Sequence, residues 1–127
     1  LRPSWTKGGK AREIPVRTRA QRIVLARAWR LVGNGSLIPP ERSFIQHLRV
    51  YVRQIMNAGL SKMHGLRHAY AQRRYFELTG WRCPHAGGPT YKSLSAAQRR
   101  IDKAARLTIS KELGHEREQV VAVYIGR

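Results

Sequence analysis

Two short blocks carry the residues best suited to chemistry: His64-Gly65-Leu66-Arg67-His68, and Leu113-Gly114-His115 with Tyr124 nine positions after the histidine. A guanidinium pairs bidentately with phosphate oxygens and keeps its charge at any working pH. An imidazole exchanges protons near neutrality, and a phenol is a nucleophile once its proton has been taken. An H-x-x-R box followed by a histidine and a tyrosine is therefore a phosphate-handling arrangement. The box also marks the expected start of a helix, where its spacing places His64 and Arg67 on one face of the first turn. Backbone amides and the helix dipole favour an anion there. An H-x-x-R taken alone is equally satisfied by ordinary surface or core residues.

The elements that must hold these residues are mostly helical. A stretch from Thr18 to Val32 carries Val24, Leu25, Ala28, Leu31 and Val32 at helical spacing and ends at Gly33-Asn34-Gly35. Pro39-Pro40-Glu41 opens a second helix, with Phe44, Leu48, Tyr51, Val52 and Ile55 on a stripe that ends at Asn57-Ala58-Gly59. Both are read as core-packing helices. A third runs from about Lys62 to Leu78, with Leu66, Ala69, Tyr70 and Phe76 facing inward. A punctuated loop, 79–90, leads to a fourth from about Ser95 to Leu113, with Ile101, Ala104, Ala105 and Thr108 inward. Gly114 supplies its stop, and a short last helix follows over about 117–123. Ahead of all of them, Thr6 to Val16 reads as a β-hairpin turning at Gly8-Gly9, with Lys7 and Lys10 at its tip. The predicted fold is mainly α with one small β-hairpin.

Composition says who the partner is. The chain has 127 residues, enough for one domain, and 42% hydrophobic content, enough for a core. Lys and Arg number 25 against 7 acidic residues, a net charge of +18. Such a balance points to a polyanion, nucleic acid first. The basic residues are dispersed rather than gathered on one amphipathic stretch, which argues against a membrane surface, and no apolar run reaches the ~18 residues of a membrane span. A lone cysteine, Cys83, excludes an intramolecular disulfide and fits a reducing cytosol. Cys83 and His85 alone make no zinc site, and neither metal nor cofactor is expected.

Taken in order, the pieces are G-G-K-x-R-E-I-P-V, H-x-L-R-H, L-G-H and a tyrosine nine residues on. Together they resemble the tyrosine recombinase (phage integrase) family. The resemblance covers nearly the whole chain and implies the C-terminal part of that family's catalytic domain, with a hairpin over 3–16 and a helical body over 18–127. It implies that Tyr124 attacks the scissile DNA phosphate to give a 3′-phosphotyrosine intermediate. Arg67 would be the second arginine of the phosphate clamp, His64 the box histidine and proton acceptor, and His115 the L-G-H histidine. Lys7 would protonate the departing 5′-oxygen, with Lys10 as the alternative. Lys10, Arg12, Arg73 and Arg74 are further candidates for contact with the DNA backbone. The implied partner is double-stranded DNA at a specific recombination site, the full-length protein acting as a tetramer on DNA in the bacterial cytoplasm and this stretch alone being a monomer.

Two departures from the family pattern stand out. The family's first clamp arginine lies upstream of the hairpin, where only six residues precede Lys7, so this stretch alone is expected to have little activity. The first residue is Leu, and the chain reads as a trimmed domain. The 48 positions between Arg67 and His115 are also more than the family's usual spacing, which suggests an insertion over about 79–105. The competing readings are a non-catalytic basic nucleic-acid-binding module, which explains the charge equally well, and a degenerate integrase remnant that binds without cutting.

Overall fold

The structure is a computed structural model and describes every residue except Pro3, Trp5, Lys7, Gly8 and Glu116. Its described residues form α1 (Arg19–Val32), α2 (Phe44–Asn57), α3 (Gly65–Thr79), α4 (Ala96–Glu112) and α5 (Ala122–Ile125). Short 3-10 turns occupy Pro84–Ala86, Tyr91–Ser93 and Glu118–Val121. Three starts share one cause. Thr18, Ser43 and Ser95 each accept from the amide three residues on, and Gln21, Gln46 and Gln98 each return a side-chain bond to the cap backbone. These reciprocal boxes satisfy amides that a helix start otherwise orphans. That is why α2 begins at Phe44 behind Ser43, not at the expected Pro39-Pro40-Glu41.

The chain divides into two compact units, residues 15–62 and residues 1–14 with 63–127. The first holds α1 and α2, and here the expectation of core-packing helices is corrected. Neither helix buries a single residue, and Leu31, Phe44 and Met56 are among the most exposed apolar side chains. Both keep their amphipathic sequence pattern without a buried seam.

The second unit has a core of Ala71, Tyr75, Cys83, Ala105, Ile109, Leu113, Val121, Tyr124 and Ile125. α3 and α4 pack against each other, and the 3-10 turn at Glu118–Val121 and α5 close over them. The seam is antiparallel: Arg67 meets Leu113, Tyr70 and Arg74 meet Glu112, and Tyr75 meets Asp102. Both inward faces differ from expectation. On α3 the buried positions are Ala71, Tyr75 and Thr79, while Leu66 and Phe76 are exposed. On α4 they are Asp102, Ala105, Ile109, Ser110 and Glu112, while Ile101 is exposed. The cause is that the seam is built on polar pairs. The Tyr75 hydroxyl donates to Asp102 at 2.6 Å, the Tyr70 hydroxyl donates to Glu112 at 2.6 Å, and the Arg74 and Arg106 guanidiniums hold the same two carboxylates. Buried charge is tolerated when it is paired in this way. Cys83, Leu94, Asp102 and Ala105, all within the stretch 79–105, are buried.

The expected hairpin does not form; among the described residues there is no strand. Leu1 and Arg12 exchange one pair of backbone bonds, at 2.7 and 3.1 Å, as facing residues of an antiparallel ladder would. Among the described residues no ladder extends beyond them. A two-stranded ribbon is marginal unless its apolar face packs on something. Ile14 and Val16, the residues that would form that face, are exposed.

Candidate phosphate-binding site

The L-G-H block is a helix stop with a defined geometry. The amide of Gly114 donates to the Lys111 carbonyl at 3.0 Å, and that of His115 donates to Ser110 at 2.8 Å. This bond pair is a Schellman motif, and it needs a left-handed residue between helix and exit. Gly114 provides it, with φ of 82°. The chain therefore reverses sharply, leaving the Leu113 carbonyl at the negative pole of α4 and swinging His115 back beside it.

Two arginines converge on that carbonyl. Arg67, from the first turns of α3, donates through Nη2 at 2.8 Å, and Arg12 donates through Nη1 at 3.0 Å. The Nε atoms of both, together with His115 Nε2, are shielded from solvent and have no hydrogen-bond partner. Burial, and then the positive charges of Arg67, Arg12 and Lys10, push the His115 imidazole pKa below its ordinary value, which favours the neutral form.

Tyr124 comes to the same place from the C-terminal side. Its ring centroid lies 4.9 Å from that of His68, edge-on, and 6.2 Å from that of His64. The Arg67 guanidinium carbon sits 5.9 Å from the same centroid. His64 and His68 are one helical turn apart, 5.9 Å between centroids. The tail that carries Tyr124 is pinned from two sides. Gln72 donates to the Tyr124 carbonyl at 3.2 Å, and Arg106 donates to the Gly126 carbonyl at 2.8 Å.

The geometry thus brings His64, Arg67, His115 and Tyr124 together, with Lys10 close enough to act on His115. Lys7 lies outside the described residues. Arg73 and Arg74 occupy the next turns of α3 and face carboxylates: Arg73 pairs with Glu77 at 3.4 Å, and Arg74 with Glu112 at 3.1 Å. The α3 start contributes less than the dipole argument implied. The amides of Leu66 and Arg67 already donate to the carbonyls of Met63 and His64, so the pull on an anion comes from side chains. Sequence reasoning gave His68 no role and gave Arg12 only a backbone contact. The H-x-L-R-H box contained the signal for the first, since positions 64 and 68 share a helical face. The G-G-K-x-R block contained Arg12, but nothing local gave it this partner, which is 101 residues away. A separate cleft, lined by Tyr91, Arg99, Lys103, Arg106, Glu118 and Arg127 among others, includes none of the converging residues.

Comparison with known proteins adds one finding. The family model described as Integrase matches residues 4–73, more than half of the chain. That match spans Lys7, Arg12, His64 and Arg67 and stops short of His115 and Tyr124. No curated protein and no solved structure gives a match.

Proposed function

We propose, from the premise that the chain belongs to the integrase family, that it is the strand-transfer portion of a tyrosine recombinase acting on duplex DNA. The family carries site-specific recombination in general; what supports the tyrosine mechanism is the meeting of Tyr124 with His64, His68 and Arg67.

In this reading the Tyr124 hydroxyl oxygen attacks the scissile phosphorus. Its proton passes to the box histidine His64, and His68, the nearer ring, holds the phenol edge-on. An O–P bond forms to Tyr124 while the bond from phosphorus to the 5′-oxygen breaks. The leaving oxygen takes a proton from Lys7. Negative charge grows on the non-bridging oxygens, and the fixed guanidinium of Arg67 stabilises it without reorganisation. The phosphotyrosine ester conserves the energy of the broken bond, so attack by a 5′-hydroxyl reverses the steps and needs no nucleotide.

A nicked duplex with sulfur in place of the 5′-bridging oxygen tests this directly, because a thiolate leaves without a proton donor. The 127-residue chain should accumulate a slow, denaturant-resistant protein–DNA adduct at Tyr124, and Tyr124→Phe should bind the same DNA and give none. Adduct in neither protein, with equal DNA binding, would make the chain a non-catalytic binding module.

A further inference from the structure

We propose that Arg12 is a second phosphate-gripping cation of this site, closing with Arg67 on one tetrahedral anion, a phosphodiester of the DNA backbone. The assignment to DNA rests on the recombinase reading above; the anion site itself rests on the geometry.

Four arginines around the α3–α4 seam divide by what they face. Arg74 and Arg106 are shielded and each meets a carboxylate, Glu112 and Asp102. Arg12 and Arg67 are partly buried too, yet they share a single neutral carbonyl, that of Leu113. Two like charges on one carbonyl repel each other, and a carbonyl dipole offsets only part of that. Each also keeps a solvent-shielded Nε without a partner, and His115 Nε2 beside them is in the same condition. Unsatisfied guanidinium donors in a shielded basic cluster call for an acceptor with several oxygens and a negative charge. A tetrahedral oxyanion meets both needs at once.

The fold holds Arg12 in this position rather than letting it drift there. Its backbone exchanges hydrogen bonds with Leu1 in both directions, which fixes the start of its side chain. Its guanidinium then lies flat against Gly114, where any Cβ would collide with it. Glycine at 114 therefore serves twice, as the left-handed helix stop and as the gap that admits the guanidinium. The downward push on His115, from burial first and then from Arg67, Arg12 and Lys10, fits a cluster of positive charge around it.

The test is a sulfate titration of the 127-residue chain at constant ionic strength, read on the His115 imidazole signals by NMR. Sulfate is a tetrahedral anion that does not titrate in the working range. Sulfate should move the His115 signals saturably, and Arg12→Gln and Arg67→Gln should each weaken the midpoint at least fivefold. Arg12→Lys, which keeps charge and reach but not the planar fork, should fall between. If Arg12 only caps α4, Arg12→Gln will lower Tm and leave the sulfate midpoint at the wild-type value; that result overturns the inference. Should Arg12→Gln fail to fold, Arg12→Lys decides, since a cap of equal charge predicts an unchanged midpoint. Duplex DNA should compete with sulfate for the His115 response; DNA that leaves the midpoint unchanged overturns the phosphodiester assignment. The recombinase reading can fail separately: no Tyr124 adduct alongside an Arg12-dependent sulfate response leaves the anion site standing without the chemistry.

Discussion

Gly114 and His115 show how much a single residue can carry here. Gly114 is left-handed at the end of α4, and its missing side chain leaves room for Arg12. Gly114→Ala adds the left-handed penalty, roughly 1–2 kcal/mol, and displaces the guanidinium as well. The variant should show a lowered urea midpoint and a weaker sulfate response together; a loss of stability with the sulfate response intact would separate the two roles. His115 gives a pH dependence of defined sign. Its folded-state pKa is lowered, so the folded protein prefers the neutral imidazole more strongly than the unfolded chain does. The contribution is fully present above the ordinary value of 6.5 and is lost as pH falls through the lowered folded value. Unfolding curves taken downward from pH 7 should therefore show stability falling, and His115→Gln should flatten that slope. Sulfate, by neutralising the surrounding field, should shift the window upward.

At the scale of elements, the α3–α4 seam decides where the converging residues sit. It is held by two carboxylates, Asp102 and Glu112, each gripped by a tyrosine hydroxyl and an arginine. The two ends of the Tyr75–Asp102 bond have very different stakes. Tyr75→Phe removes one hydroxyl and should cost about 1 kcal/mol. Asp102→Ala strands the shielded Arg106 and should cost roughly 3–5 kcal/mol. Because Arg106 also donates to the Gly126 carbonyl, the second change should loosen the tail that bears Tyr124. Urea denaturation gives the two costs; amide exchange at 122–126 reads the tail, and equal protection in both variants would refute the coupling. Burial first, and the hydrogen bond to Asp102 second, raise the Tyr75 hydroxyl pKa to about 12. That share of stability is whole below pH 10 and disappears as pH climbs from there through about 12. The same seam explains what could be read in advance. Helix starts were legible at Thr18 and Ser95 because capping is local chemistry written within four residues. Inward faces were not, because apolar periodicity cannot register Asp102 or Glu112 as core, and their partners lie 27 to 42 residues away. Of the residues that converge, His64, Arg67, His115 and Tyr124 were legible as motif members; Arg12 was legible only as a candidate for contact with the DNA backbone, since its place depends on a contact across nearly the whole chain.

At the scale of the whole molecule, the net charge of +18 sets the terms of binding. Not all of that charge is available: Arg73, Arg74 and Arg106 are engaged with Glu77, Glu112 and Asp102. Each remaining cation that reaches a phosphate releases a condensed counterion, so log affinity should fall linearly with log salt, by about 0.9 per phosphate contacted. A domain of this size with so many basic side chains should show a slope of about 5–10 in magnitude on random duplex DNA. Arg12→Gln and Arg67→Gln should each reduce that magnitude by about one if both arginines touch backbone phosphates. Tyr124→Phe should leave slope and affinity unchanged, because the phenol contributes no charge to binding. A reduction at Arg67 with none at Arg12 would confine the phosphate contact to α3, and a slope unchanged in both would place DNA on another basic face, such as the cleft rimmed by Arg99, Lys103 and Arg127. The salt slope therefore distinguishes charge that merely attracts DNA from charge that grips it at the site of Tyr124.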